Sequence, residues 1–157
     1  MSYVGDIGEL STVFRPATEV PPLVQPTSSV QFIAPGSLTR GEFGLFRYEM
    51  RPRGGGPAAH FHRTFSESFY IIGGTVRLLD GAHWVEATAG DFLYVPQGGV
   101  HAFRNDTDAD ASMLMLFSPG APRERYFQEL AEIARSGRKL SQDEWTELYA
   151  RHDQTMV

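Results

Sequence analysis

Short apolar segments separated by turn-forming residues fill the middle of this 157-residue chain. One of them alternates strictly, with Phe46, Tyr48 and Met50 on one face and Arg47 and Glu49 on the other. Alternation with a period of two is the pattern of a half-buried strand. Many such short segments, with no helical pattern between them, predict an all-β sandwich or closed barrel. We therefore expect the Phe46, Tyr48 and Met50 side chains to face the interior.

The two ends of the chain follow other patterns. Residues 1–29 are rich in Pro and Ser, which disfavours central strands and predicts an extended arm. Residues 120–157 carry apolar positions at helical spacing, and Ser141 followed by Glu144 predicts a capping box. The expected domain organisation is an arm at 1–29, a barrel at 30–119 and a helical tail at 120–157. The tail is expected to cover the barrel or a dimer seam.

Apolar residues in the arm need a surface to pack against. Two arrangements remain open at this point, because the arm could fold back on its own barrel or pack across a dimer. The predicted protein partner is accordingly a second copy of the chain in a homodimer.

Composition narrows the classes of function. The chain has no cysteine, so a bound metal must have nitrogen and oxygen ligands. The formal net charge of −5 and the lack of a basic cluster argue against nucleic-acid binding. The longest apolar runs are far shorter than a membrane span, and the N-terminus lacks the pattern of a secretory signal. We expect a cytoplasmic protein that binds neither nucleic acid nor membrane.

Four residues at characteristic spacing form the candidate site. His60 and His62 stand two apart, so on a strand their imidazoles point the same way. Glu67 follows after four residues, and His101 comes from a distant strand, shortly after the Gly98-Gly99 turn. Imidazole and carboxylate ligands suit one divalent transition metal, which could be Fe, Mn, Ni, Co, Cu or Zn.

The segments that carry these residues resemble both halves of the cupin superfamily signature. They are GGGPAAHFHRTFSESFYIIGG at 54–74 and GDFLYVPQGGVHAFRN at 90–105. The resemblance implies a double-stranded β-helix, also called a jelly roll, with the metal held inside by His60, His62, Glu67 and His101. The sequence is more loosely similar to single-domain, quercetin-dioxygenase-like cupins.

The residues around the ligands are largely aromatic and apolar. By strand alternation, the predicted substrate-binding side chains are Tyr48, Met50, Phe69 and Phe103. The family resemblance implies a small apolar or aromatic substrate that is cleaved with dioxygen, with Glu67 as the general base. A non-oxidative isomerase, lyase or cyclase and a non-catalytic small-molecule-binding protein are the alternatives.

Overall fold

The computed structural model describes residues 2–157, which form a β-barrel followed by two helices. The strands, in chain order, are β1 (Leu23–Val24), β2 (Ser28–Ala34), β3 (Gly44–Met50), β4 (His60–Phe61), β5 (Ser66–Gly73), β6 (Thr75–Leu79), β7 (Trp84–Thr88), β8 (Phe92–Val95), β9 (Ala102–Arg104), β10 (Ala111–Ser118) and β11 (Thr155–Met156). The helices are a short 3-10 helix (Ala17–Glu19), α1 (Arg123–Ser136) and α2 (Gln142–Arg151).

The strands form three antiparallel sheets. The largest has the order β1-β2-β3-β10-β5-β8, a second has the order β7-β6-β9, and the short strands β11 and β4 pair with each other. Neighbours within the largest sheet are mostly distant in sequence, which is the connectivity of a jelly roll. The predicted all-β jelly-roll fold with a helical tail is confirmed.

The core lies between the sheets and explains the alternating pattern. In β3, Phe46, Tyr48 and Met50 are buried, and the residues between them are partly exposed. Their interior orientation is therefore as predicted. Phe46 packs against Phe117 of β10 and Phe127 of α1, with ring centroids 5.2 and 5.8 Å apart. The barrel core thus continues into the tail.

The tail begins and ends where local signals predict. Helix α1 starts after Pro122 and stops at Gly137, which adopts the left-handed conformation at φ 68°. Helix α2 starts at the predicted capping box, in which Ser141 and Glu144 bond each other's backbone N–H groups. Within residues 2–157, neither α-helix is long and apolar enough to cross a membrane.

The N-terminal arm does not fold back along its whole length. Residues 2–14 are exposed, whereas Arg15 donates to the carbonyls of Phe32 and Ile33 in β2. The largest sheet begins at Leu23, within the segment that the sequence assigned to the arm. Of the two arrangements expected for the apolar arm residues, packing against their own barrel is not observed for residues 2–14.

Candidate metal centre

Backbone pairing places two of the predicted ligands side by side. His60 and His101 exchange both backbone hydrogen bonds, with N···O distances of 3.0 and 2.9 Å, so they lie directly opposite each other on antiparallel segments. The turn before His101 uses Gly98 at φ 80°. Gly98 also donates its backbone N–H to the carbonyl of His62 at 2.7 Å, which ties the two motifs together.

Glu67 reaches these histidines from β5 in the largest sheet. Its Oε2 atom lies 3.1 Å from Nε2 of His62 and 2.9 Å from Nε2 of His101. One potential ligand atom from each of the four residues, including His60, lies within 4.8 Å of all the others, and all four residues are buried. The structure therefore brings together the four residues that the sequence singled out.

The second nitrogen of each imidazole is fixed by the backbone. Nδ1–H of His60 donates to the carbonyl of Ala58 at 2.8 Å, and the corresponding group of His101 donates to Gly99 at 3.0 Å. In the same way, His62 donates to the carbonyl of Asp153 at 2.5 Å. In a neutral imidazole these bonds place the proton on Nδ1, so Nε2 presents a lone pair. Only a protonated, positively charged ring can also donate from Nε2 to Glu67.

This tautomer assignment explains why the site suits a cation. Two Nε2 lone pairs, from His62 and His101, face a carboxylate oxygen of Glu67. Acceptors facing acceptors repel one another unless a proton or a metal ion lies between them. Oriented imidazoles with a buried carboxylate are the donor set of a divalent transition metal. The residues present thus fit such an ion.

The pKa values of these groups follow from burial and mutual charge. Burial, together with the charge of His101, lowers the pKa of His60 to about 3. Burial alone would raise the pKa of Glu67, but the hydrogen bonds and charges of His101 and His62 outweigh it, and the pKa lies well below the ordinary value. For His101, burial lowers the pKa, yet Glu67 more than compensates and the pKa is raised. At neutral pH, His60 is neutral and Glu67 is ionised, as metal ligation requires.

The end of the chain supports the two-histidine segment. Strand β11 pairs with β4, which contains His60. Asp153, just before β11, accepts hydrogen bonds at its carboxylate from the backbone N–H groups of Arg63 and Thr64 and from the Thr64 hydroxyl. Its carbonyl orients His62. No local sequence signal indicated Asp153, because the contact spans about ninety positions in the chain.

A cavity of about 210 Å³ adjoins the candidate ligands. His60 and Glu67 form part of its wall, and the barrel and both helices contribute the rest. Its aromatic lining consists of Tyr48, Phe103, Tyr126, Phe127, Trp145 and Tyr149. A larger groove of about 540 Å³ lies between α1 and α2, but it holds none of the four candidate ligands.

The predicted substrate-binding residues divide into two pairs. Tyr48 and Phe103 line the cavity, with ring centroids 5.4 Å apart. Met50 and Phe69 are buried in the barrel core and are not part of the cavity wall. Alternation identifies the inward face of a strand but gives no depth along the barrel, which explains the difference.

The tail contributes more to the cavity than its helical pattern suggested. The sequence pattern indicated a packing element and gave no sign of the residues that line the cavity, which are Arg123, Tyr126, Phe127, Leu130, Trp145, Tyr149 and Gln154. The apolar stripe of the tail predicted a buried face, and this face covers the cavity.

Comparisons with known proteins agree with the fold and the motifs. The family model described as a cupin domain matches residues 46–117. Quercetin 2,3-dioxygenase of Bacillus subtilis (strain 168) is 28% identical over 102 residues, which cover 65% of this chain and 29% of that protein. The chain thus spans less than a third of the length of this relative.

Solved structures support the same architecture. KdgF from Halomonas sp. aligns with a TM-score of 0.61 at 16% identity, covering 69% of this chain and 94% of that one. The polyketide cyclase RemF from Streptomyces resistomycificus aligns with a TM-score of 0.59 at 19% identity, covering 68% and 79%. Likeness at these identities concerns the fold alone. Both signature segments, at 54–74 and 90–105, lie within the residues that the cupin domain model matches, so the family comparison and the fold agree on the cupin resemblance.

Proposed function

We propose that this protein is a metal-dependent dioxygenase that cleaves a ring or carbon–carbon bond of a small, largely apolar or aromatic molecule. The observation that carries the proposal is the buried Glu67 carboxylate, held between two oriented imidazoles in the wall of an aromatic cavity. The similarity to a protein named quercetin 2,3-dioxygenase supports the use of oxygen.

The side chains of the cavity suit this chemistry. A divalent metal bound by His60, His62, Glu67 and His101 would act as a Lewis acid toward a substrate oxygen. Glu67 is ionised and lies in the cavity wall, so it can accept the proton of a substrate hydroxyl. Burial raises the pKa of Tyr126 to about 12, so its hydroxyl stays protonated and can donate a hydrogen bond.

The size of the cavity restricts the substrate. Sites for drug-sized ligands have volumes of about 300–1,000 Å³, and this cavity measures about 210 Å³. We therefore expect a compound of about one or two aromatic rings, closer to a catechol than to a flavonol.

The test is aerobic turnover by the reloaded protein. Metal-free protein is loaded separately with Fe, Mn, Ni, Co, Cu or Zn and mixed with catechol-like and flavonol compounds. An oxygen electrode should record consumption equal to the substrate lost, and labelled dioxygen should place both of its atoms in the product. Glu67→Gln should abolish this turnover, whereas Glu132→Gln, an exposed change on α1, should leave it intact. If no metal-loaded form consumes oxygen with any compound, the dioxygenase proposal is wrong.

A non-oxidative reaction is the second candidate, and the hydroxyl groups of the cavity favour it. Tyr48, Tyr126 and Tyr149 line the cavity, and burial raises the pKa of each. Protonated hydroxyls in the same cavity wall as an ionised Glu67 are the donors and acceptor that an isomerase, lyase or cyclase needs. Turnover without oxygen, with a product of unchanged mass, would identify an isomerase or cyclase. Ligand binding without any turnover would instead indicate a binding protein.

We also propose that the protein is a homodimer. Exposed apolar side chains in the arm and on the outer face of the largest sheet support this; the largest are Tyr3, Ile7, Leu10, Phe14, Tyr70, Phe92 and Tyr94. Light scattering after size exclusion should give a dimer mass for the full chain. A chain that lacks residues 2–14 should shift toward monomer if the arm crosses between subunits. A monomer mass for the full chain would contradict the proposal.

A further inference from the structure

Arg123, the first residue of α1, has a guanidinium group that the fold buries almost completely. Nη1 donates to the carbonyl of His152 at 2.9 Å, and Nη2 donates to the side-chain oxygen of Gln154 at the longer distance of 3.4 Å. Nε has no hydrogen-bond partner within residues 2–157. Both acceptors are neutral, so no carboxylate contacts this buried cation in the described part of the chain.

The same side chain belongs to the wall of the cavity that contains Glu67. The guanidinium carbon of Arg123 lies 4.1 Å from the ring centroid of Tyr126, another residue of this wall. Phe65 and Phe117 add aromatic rings at 5.5 and 5.7 Å. The rings hold the guanidinium in place but do not neutralise its charge.

The charges around the cavity do not balance. A divalent ion and the Glu67 carboxylate leave one positive charge when the histidines are neutral, and Arg123 adds another. The Asp153 carboxylate also acts on Arg123, but it bonds the backbone of residues 63–64 and is not part of this cavity wall, so a net positive charge remains. Burying an unpaired charge is costly, and a nearby anion reduces that cost. The cavity therefore favours a negatively charged ligand.

A purely structural role does not account for the charge of Arg123. Its hydrogen bonds anchor the backbone at His152 and the Gln154 side chain, and a neutral amide could donate the same bonds. A guanidinium, in contrast, presents a planar fork that matches a carboxylate.

We propose that Arg123 forms an anion subsite and that the substrate is a small aromatic hydroxy acid. Its carboxylate pairs with the Arg123 guanidinium, and its hydroxyl oxygen lies toward Glu67 and the metal ligands. The placement of the substrate hydroxyl near Glu67 rests on the proposed function. The pairing of the substrate carboxylate with Arg123 holds whether or not the reaction uses oxygen.

The test compares two ligands of nearly the same shape, of which one carries a carboxylate and the other a neutral amide. The probes are 6-hydroxy-2-naphthoate and 6-hydroxy-2-naphthamide, whose hydroxyl and acyl groups are too far apart to chelate one ion. Calorimetric titration uses protein loaded with zinc, which has no redox chemistry, so that binding is measured apart from turnover. The variants are Arg123→Met, Arg123→Gln and Arg123→Lys, and the control is Arg125→Met, an exposed change on the same helix.

The carboxylate should bind at least about tenfold more tightly than the amide to the wild type and to Arg125→Met. This preference should fall to less than about threefold in whichever neutral Arg123 variant keeps its thermal transition, and Arg123→Lys should retain most of it. No preference in the wild type, or an unchanged preference in a folded neutral variant, would overturn the subsite. Failure of the oxygen assay with an intact binding preference would reject the dioxygenase proposal and leave the subsite standing.

Discussion

Replacing Asp153 tests how strongly the end of the chain supports the metal-binding segment. Its carboxylate accepts hydrogen bonds from the Arg63 and Thr64 backbone N–H groups at 3.0 and 2.8 Å and from the Thr64 hydroxyl at 2.6 Å. Asp153 also has φ 50°, a left-handed conformation that costs most side chains about 1–2 kcal/mol and glycine very little.

These two contributions predict a graded series of stabilities. Asp153→Gly keeps the backbone conformation but loses the carboxylate contacts, which we put at about 2 kcal/mol for this partly exposed cap. Asp153→Ala adds the conformational cost and should lose about 3 kcal/mol or slightly more. Asp153→Asn tolerates the conformation and keeps one acceptor oxygen, so its loss should stay near 1 kcal/mol.

Thermal unfolding measures the series directly. At about 2–4 °C per kcal/mol for a domain of this size, glycine should lower Tm by about 4–8 °C and alanine by about 6–12 °C. Glu147→Ala, an exposed change on α2, is the control and should stay within about 0.5 kcal/mol. Glycine and alanine variants with the wild-type Tm would refute the capping argument, and equal losses for the two would refute the conformational one.

Metal affinity provides an independent measure of how Asp153 supports the His62 ligand. The Asp153 carbonyl fixes the His62 ring, and loss of such an outer partner typically weakens metal binding about 10- to 100-fold. We expect a decrease in this range for Asp153→Ala in competition with a chelator. Wild-type affinity in a destabilised variant would show that the His62 orientation does not depend on this turn.

Three further predictions concern the site, the tail and one turn. Glu67→Gln should weaken divalent-metal binding more than about tenfold in chelator competition, because it removes the negative charge from the ligand set; unchanged affinity would contradict the assignment. The hydrogen bond from His152, followed by that from Arg151, lowers the pKa of Glu129 below its ordinary 4.5. An ionised Glu129 therefore stabilises the fold above pH 4.5, and this stabilisation is lost as the pH falls through the lower pKa of the folded state. The decrease in Tm caused by Glu129→Gln should accordingly be present at pH 7 and become smaller in acid. A decrease in Tm that does not depend on pH would argue against a role for the charge. Gly74→Ala should lower the free energy of unfolding, measured with denaturant, by about 3 kcal/mol or more, because a Cβ there would lie 2.3 Å from a backbone oxygen. Gly137→Ala, at a similar φ but with open space around it, should lower it by only about 1 kcal/mol. Equal losses for the two variants would refute the steric argument.

Local rules accounted for the barrel and for the ligand cluster. Strand periodicity placed His60 and His62 on one side, and the Gly98 turn brought in His101, because both features depend on a few neighbouring residues. The same rule put Met50 and Phe69 on the inward face but could not say that they lie in the core rather than at the cavity.

Contacts between distant segments could not be read from the sequence. Arg123 stands at a helix start, and its position carries no sign that the fold would bury it against the cavity. His152, close to the second helix, likewise carries no local sign of its contact, yet it is largely buried and bonds Glu129 of α1 at 2.7 Å. Both outcomes depend on how the two helices of the tail dock, which periodicity alone does not specify.

The pairing of β11 with β4 has a consequence for biosynthesis. All four candidate ligands lie before residue 102, so they leave the ribosome well before Asp153 and the strand that pairs beside His60. Until then the His62 imidazole lacks the carbonyl that orients it, and the ligand set of a nascent chain is not fully preorganised for a divalent ion. We therefore expect tight metal binding to follow the docking of residues 153–157 beside His60 and His62.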